Sequence, residues 1–160
     1  MHRKDREISS LDEIIEIINK CEVCRLGLSV DNQPYIVPLN FGYEVVNGKL
    51  ALYFHGANAG KKLEMIRQNP NSCFEMDCDH QLYEREQAHE FSFEYASVIG
   101  YGKIHILSET EEREHALQRI MHHYTGRENY DLNQSIVSKL AILKLEVSEA
   151  TGKRNRETDT

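Results

Sequence analysis

Between Cys24 and His55 the chain alternates apolar and polar side chains with a period of two, a pattern that admits little besides β-strands. Cys24, Leu26, Leu28 and Val30 stand against Val23, Arg25, Gly27 and Ser29, in a strand whose period begins at Cys21. Tyr35, Val37, Leu39, Phe41 and Tyr43 then alternate with Ile36, Pro38, Asn40 and Gly42. Asp31-Asn32-Gln33-Pro34 separates the two runs with turn-forming residues. Asn47-Gly48 is a strong hairpin signal and delivers Lys49 to His55 as a third strand. These segments predict an antiparallel meander.

Helical spacing interrupts it. Ser10 with Glu13 has the spacing of a capping box and precedes Ile14, Ile15, Ile17 and Ile18 on one face. Leu63, Met65 and Ile66 predict a short helix over Lys61 to Asn69, stopped by Pro70. Ser72 to Met76 reads as a fourth strand, Asp77 to His89 as a polar segment, and Glu90 to Leu107 as a long strand bent or bulged near Gly100 and Gly102. Ser108 and Glu111 suggest a second capping box, before a helix carrying Ala116, Leu117, Ile120, Met121 and Tyr124 and closed by Gly126. Leu140 to Val147 is the last strand, and 153–160 is expected to fray. No linker or repeat divides the chain, so residues 1–160 are expected to form one domain. The fold class that follows is mainly β with added helices, a six-stranded antiparallel β-barrel.

Charge narrows the function. Asp and Glu outnumber Lys and Arg by 26 to 19, a net −7 that argues against a nucleic-acid partner. Apolar runs such as Leu50 to Phe54 are far too short to cross a bilayer, so no membrane role is expected. Met1 to Glu7 alternates charges and does not read as a secretory leader, which makes the cytoplasm the expected location. There Cys21, Cys24, Cys73 and Cys78 stay reduced. A four-thiolate zinc site is disfavoured because residues three or five apart on a strand face opposite ways. His80, His89, Glu90, His122 and His123 match no chelate spacing, and no metal is expected.

The chemistry concentrates in Phe54-His55-Gly56-Ala57-Asn58-Ala59-Gly60-Lys61-Lys62-Leu63, which is a strand end, a loop of small residues and a helix start with two ammonium groups. Free N–H groups at a helix start attract anions, and small residues permit close approach. A phosphate group suits it, with Gly56, Lys61 and Lys62 as contacts. A nucleotide-hydrolysing P-loop does not: Gly56 and Gly60 enclose three residues instead of four, and Lys62 stands where the magnesium-binding Ser or Thr belongs. The competing reading is an exposed hairpin loop that happens to be basic.

The ordered set Arg25 to Val30, Tyr35 to Tyr43, Leu52 to Ala57, Gly60-Lys61-Lys62, Asn69-Pro70 and Ser97 to Lys103, ending near Thr151-Gly152-Lys153, resembles the pyridoxamine 5′-phosphate oxidase-like flavoproteins. Within them it is most like the nitroimidazole-resistance group. The resemblance implies a split β-barrel that forms a homodimer and binds FMN in a groove at the subunit interface. It implies that Val37, Pro38, Leu39, Asn40 and Phe41 lie along the isoalloxazine ring, that Lys61 and Lys62 meet the phosphate, and that Ser97 and Val98 approach the cofactor from a neighbouring strand. Asn40, an amide in an apolar strand, is a candidate polar contact. His55, at the strand end beside the loop, is the candidate catalytic residue, to orient a substrate or donate a proton. The implied activity is reduction of small electrophilic molecules such as nitroimidazoles. The alternatives are a flavin-binding module or sensor without turnover and a pyridoxamine-phosphate-oxidase-like oxidase.

Overall fold

A single residue, Asn40, joins two strands that stand at opposite ends of the sheet, and this forces the sheet to curl until its ends meet. The computed structural model describes residues 6–156. In chain order the elements are β1 (Glu7–Ile8), α1 (Leu11–Ile18), β2 (Cys24–Val30), β3 (Gln33–Leu39), β4 (Phe41–Val46), β5 (Lys49–Ala57) and α2 (Lys61–Gln68), followed by β6 (Asn71–Tyr83), β7 (Ser92–Ile106), α3 (Thr110–Thr125), α4 (Gln134–Val137) and β8 (Leu140–Asn155). They form one eight-stranded sheet in the order β3-β2-β6-β7-β8-β5-β4, with β1 paired to β8. All pairs are antiparallel. The result is a mainly β, antiparallel split barrel.

Six expected strands become eight for two reasons: Glu7–Ile8 pairs with Gly152 and Lys153, and the run from Tyr35 to Tyr43 divides at Asn40. Leu39 pairs with Cys24 on β2, whereas Phe41, two residues on, pairs with Phe54 on β5. Alternation continues through the break, so Leu39 and Phe41 both face the interior while Pro38 and Asn40 face out. Both hairpin turns form as expected: Asp31 and Asn32, then Asn47 and Gly48, adopt positive φ between 50° and 74°.

Other boundaries shift. The strand β2 starts at Cys24, leaving Cys21 in the connection after α1, so the facing argument against a chelate at Cys21 does not apply as stated; the Cys21 thiol donates to the Ile17 carbonyl at 3.3 Å. Among the described residues no group of three or more His, Cys, Asp or Glu is arranged to hold a metal. The segment Asp77 to Tyr83, expected as part of a polar loop, continues β6, and Gln81, Leu82 and Tyr83 pair with β7. The strand β8 runs past Val147 to Asn155, so Lys153, Arg154 and Asn155, expected in the frayed tail, are paired with β7; 157–160 lie outside the described residues. Neither capping box makes its side-chain bond. Ser10 occupies the cap of α1 without a side-chain hydrogen bond, and Glu109 instead of Ser108 caps α3. The bulge near Gly102 is present: register shifts between Tyr101 and Gly102, and Ser148 opposite it donates to the Tyr101 carbonyl at 3.0 Å.

The barrel interior holds Leu26, Phe41, Leu52, Phe54, Phe74, Met76, Ile104 and Leu143, all fully buried. Helix α1 packs on β6, β7 and β8 and adds Ile14, Ile17 and Ile18; α2 adds Leu63, Met65 and Ile66. A second, smaller cluster lies outside the barrel wall, where α3 places Ala116, Leu117 and Ile120 on Ala51, Tyr53 and Ile142. No helix among the described residues is long and apolar enough to cross a membrane.

Candidate functional site

The loop leaving β5 brings four of the expected site residues together. Phe54 turns inward and is buried, so the next residue, His55, turns outward and remains half-buried. Its Nδ1 is shut from solvent without a hydrogen-bond partner. Burial, reinforced by the charge of Lys62, holds the His55 imidazole below its ordinary pKa. Gly56 lies under the Lys62 ammonium: a Cβ built there would stand 2.6 Å from Nζ, so any side chain would displace the lysine. Burial also lowers the Lys62 pKa.

Gly60 begins α2 at φ 120°, and the N–H groups of Leu63 and Glu64 both return to its carbonyl. As in any helix, the N–H groups ahead of these have no intrahelical acceptor. Lys61 extends the other way, its Nζ 4.8 Å from the centre of the Tyr35 ring on β3, at cation–π distance. The loop therefore joins an unpartnered ring nitrogen, a half-buried ammonium, helix-start N–H groups and a second ammonium resting on an aromatic ring. Such a set can hold a dianion at close range. His55 contributes a buried ring nitrogen that no protein group satisfies.

The second group is the stretch from Val37 to Phe41. Val37 and Leu39 are half-buried against the barrel core, Pro38 and Asn40 are exposed, and Phe41 is fully buried, its ring 4.3 Å from that of His123. Phe41 therefore fills the core with its side chain. The Asn40 amide donates to the Tyr124 hydroxyl at 3.2 Å; the Phe41 N–H donates to the same oxygen at 3.1 Å, and that hydroxyl donates to the Glu22 carbonyl at 2.7 Å. Tyr124 thus pins the break between β3 and β4 to the segment before β2. In sequence it was only one apolar position of a helix.

The third group is apart. Ser97 faces outward on β7 while Val98 is fully buried, so Val98 has only backbone to offer a ligand outside the barrel. Ser97 pairs with Asp77 on one side and Lys153 on the other. Along β8 the partner of Ser97 is Lys153 and the partner of His55 is Ile142, which puts roughly 35 Å of strand between the two groups. Within one chain, Ser97 does not join the loop.

Two further clusters had no sequence signal. On the outer face Arg25 Nη1 reaches Glu75 at 3.0 Å and Asp77 at 2.5 Å, with His80 3.1 Å from Asp77. Under α3, Glu44 accepts from the Tyr53 hydroxyl and meets His115 Nε2 at 2.8 Å; burial alone would raise its pKa, but these hydrogen bonds and Lys144 hold it below the usual range. Glu44 also lines an open groove of about 1070 Å³ with Lys49, Ser72, Tyr101, Lys103 and Lys144, and no expected site residue lines it.

The family model described as pyridoxamine 5′-phosphate oxidase matches residues 10–154. The chain belongs to that family. Among solved structures, a candidate 5-nitroimidazole antibiotic resistance protein from Bacteroides thetaiotaomicron is 32% identical, with a TM-score of 0.80 over 92% of this chain and 86% of that one. Two more distant members of the same architecture are the flavocytochrome Anf3 from Azotobacter vinelandii and an FAD-binding protein from Mesorhizobium loti. Anf3 is 16% identical, TM-score 0.78, over 98% of this chain and 72% of that one. The Mesorhizobium protein is 22% identical, TM-score 0.66, over 94% and 98%. At those identities they show the fold alone. No protein of curated function matches the sequence. For this pyridoxamine 5′-phosphate oxidase family chain, the loop from His55 to Lys62 lies within the matched residues.

Proposed function

We propose that this chain is an FMN-binding flavoprotein that works as a homodimer and reduces small electrophilic molecules, with nitroimidazoles as the first substrates to try. The observation that carries the reading is the β5–α2 loop, where Lys62 lies over Gly56 beside the unpartnered Nδ1 of His55. These groups suit a phosphate monoester: helix-start N–H groups and two ammonium groups match its charge, and Gly56 leaves the room in which Lys62 sits. The 32% identical Bacteroides protein supports the substrate class. FMN, when bound, would supply the two-electron redox chemistry there.

The chain's own part is to bind and orient. Lys61 and Lys62 would hold the phosphate, Pro38 and Asn40 would offer an exposed apolar surface and an amide to the ring, and His55 would orient the substrate or deliver a proton from Nδ1. Because burial keeps His55 neutral near pH 7, proton delivery requires that a bound anion raise its pKa. The uncovered outer face of the sheet, where Ile36, Ile99 and Tyr101 are exposed, suits a second copy.

The test is an absorbance spectrum of the purified protein, then chromatography of whatever denaturation releases. An oxidised-flavin band and released FMN are expected; a colourless protein that takes up no FMN contradicts the proposal. Consumption of reduced nicotinamide upon adding a nitroimidazole then separates a reductase from a flavin carrier without turnover.

A further inference from the structure

Two cysteines meet at a place that the flavin reading does not use. Cys21 follows the end of α1, and Cys78 stands on β6 just before its pairing with β7 shifts register. Both are buried, and both thiols point at one oxygen: the Ile17 carbonyl lies 3.3 Å from the Cys21 sulfur and 3.9 Å from that of Cys78. Each thiol is also within hydrogen-bond reach of the other. The other two cysteines face apart. Cys24 turns into the barrel and is fully buried, whereas Cys73 is exposed on the outer face with its sulfur over Gly27.

The surroundings distinguish the paired thiols. Burial raises the pKa of both, but the contact with Cys21 favours the Cys78 thiolate, as do the charges of Lys20 and Arg154, against the opposing Asp79. Glu75 and Asp77 weigh further against a Cys21 thiolate. Lys20 is tied to Asp79 at 2.6 Å. Arg154 stands in one cross-strand row with Cys78, through Ala96, and reaches Glu16 on α1 at 3.8 Å; its Nε is shut from solvent without a hydrogen-bond partner. Cys78 is therefore the thiol that ionises first, with Cys21 as the proton donor beside it.

We propose that Cys21 and Cys78 form a redox-active dithiol, reduced at rest and closed to a disulfide by a hydroperoxide such as hydrogen peroxide. The Cys78 thiolate attacks one peroxide oxygen, the O–O bond breaks, and hydroxide leaves and takes up the thiol proton as water. Cys78 then carries a sulfenic acid. The Cys21 sulfur attacks that sulfur, and the sulfenic hydroxyl leaves with the Cys21 proton as a second water. Two thiols have lost two electrons, and the peroxide has gained them. The oxidant has to be small, because Cys21 and Cys78 are only 2% and 8% exposed. The bond fastens the α1–β2 connection to β6. The same connection holds the end of α3, since His123 and Tyr124 donate to the Cys21 and Glu22 carbonyls at 2.9 and 2.7 Å.

Thiol counting tests this. The full chain bearing Cys73→Ser, which removes the exposed competitor, keeps three of the four thiols. It is treated with hydrogen peroxide, quenched with catalase, unfolded and alkylated. Alkylation should fall from three sites to one, and the intact mass should drop by about 2 Da for the two hydrogens lost. Digestion should give a cross-linked peptide joining Cys21 to Cys78, and dithiothreitol should restore the lost thiols. The unsubstituted chain should give the same cross-link. With Cys21→Ser the resolving sulfur is gone, and Cys78 should proceed to sulfinic or sulfonic acid. Three thiols still alkylated after peroxide, over-oxidation of Cys78 with Cys21 in place, or a bond joining Cys21 to Cys24 overturns the proposal.

Discussion

The outer surface of the sheet has two halves treated differently. Over β4, β5 and β8 the helix α3 lies close, and Ala51, Tyr53 and Ile142 beneath it are buried. On β3 and β7, away from α3, Ile36, Ile99 and Tyr101 are exposed by 68%, 47% and 51%. Both halves come from the same kind of alternating strand. The difference teaches that alternation assigns side chains to faces, while a separate element decides whether a face is finished within the chain. The covered half is a second core; the bare half is a surface shaped for something else, and the proposed flavin contacts Pro38 and Ser97 lie on it.

The largest expected effect is on the covered half. Gly42 lets α3 approach: a Cβ there would stand 2.4 Å from the Arg119 and Ile120 backbone. Gly42→Val should therefore destabilise more than truncating a buried side chain, and Ile142→Ala should itself cost about 2–5 kcal/mol. Urea unfolding midpoints check both, and the comparison fails if either is silent. Next come the loop lysines. Lys61→Ala and Lys62→Ala should each weaken FMN binding by about 1.5–3 kcal/mol while leaving the unfolding midpoint of the flavin-free protein in place. Unchanged FMN affinity in the double variant would remove the loop from the site.

Tyr124→Phe should follow, because one hydroxyl serves Asn40, Phe41 and Glu22. Loss of these bonds should cost about 1–3 kcal/mol, read by the same unfolding measurement. The pH effect is smaller. His55 and His123 are both held below the ordinary 6.5 by burial, so the unfolded chain binds protons that the folded one resists. Stability should be level above that value and decline as pH falls through it, and His55→Gln should reduce the slope. The smallest effect on folding belongs to the bare half. Ile99→Ser should shift unfolding of the monomer by no more than about 0.5 kcal/mol, yet loosen the proposed dimer in sedimentation velocity. A large folding defect there would mean that the two halves are not different after all.

Much of this arrangement could be read from residue order. Asn47-Gly48 announced its hairpin because positive φ at two successive positions is a local demand. The break at Asn40 gave no such warning: alternation runs unbroken from Tyr35 to Tyr43, and what changes there is the strand partner, which a period cannot encode. Asp77 to Tyr83 resembled a loop because the end of β6 extends past its pairing with β2, leaving it exposed and polar. At the site, His55, Gly56, Lys61 and Lys62 were legible since they are nearly contiguous. Tyr35 beneath Lys61 and Tyr124 behind Asn40 were not, since each is brought there by the fold from a distant part of the chain.

The central claim is that the turn from β5 into α2 grips a phosphate. Titrating flavin-free protein with FMN and with riboflavin, which differ only in that group, tests it most directly. Wild-type protein should bind FMN far more tightly than riboflavin, and Lys61→Ala/Lys62→Ala protein should lose most of that preference. Equal affinity for the two flavins in the wild type, or a preference that survives the double substitution, would contradict it.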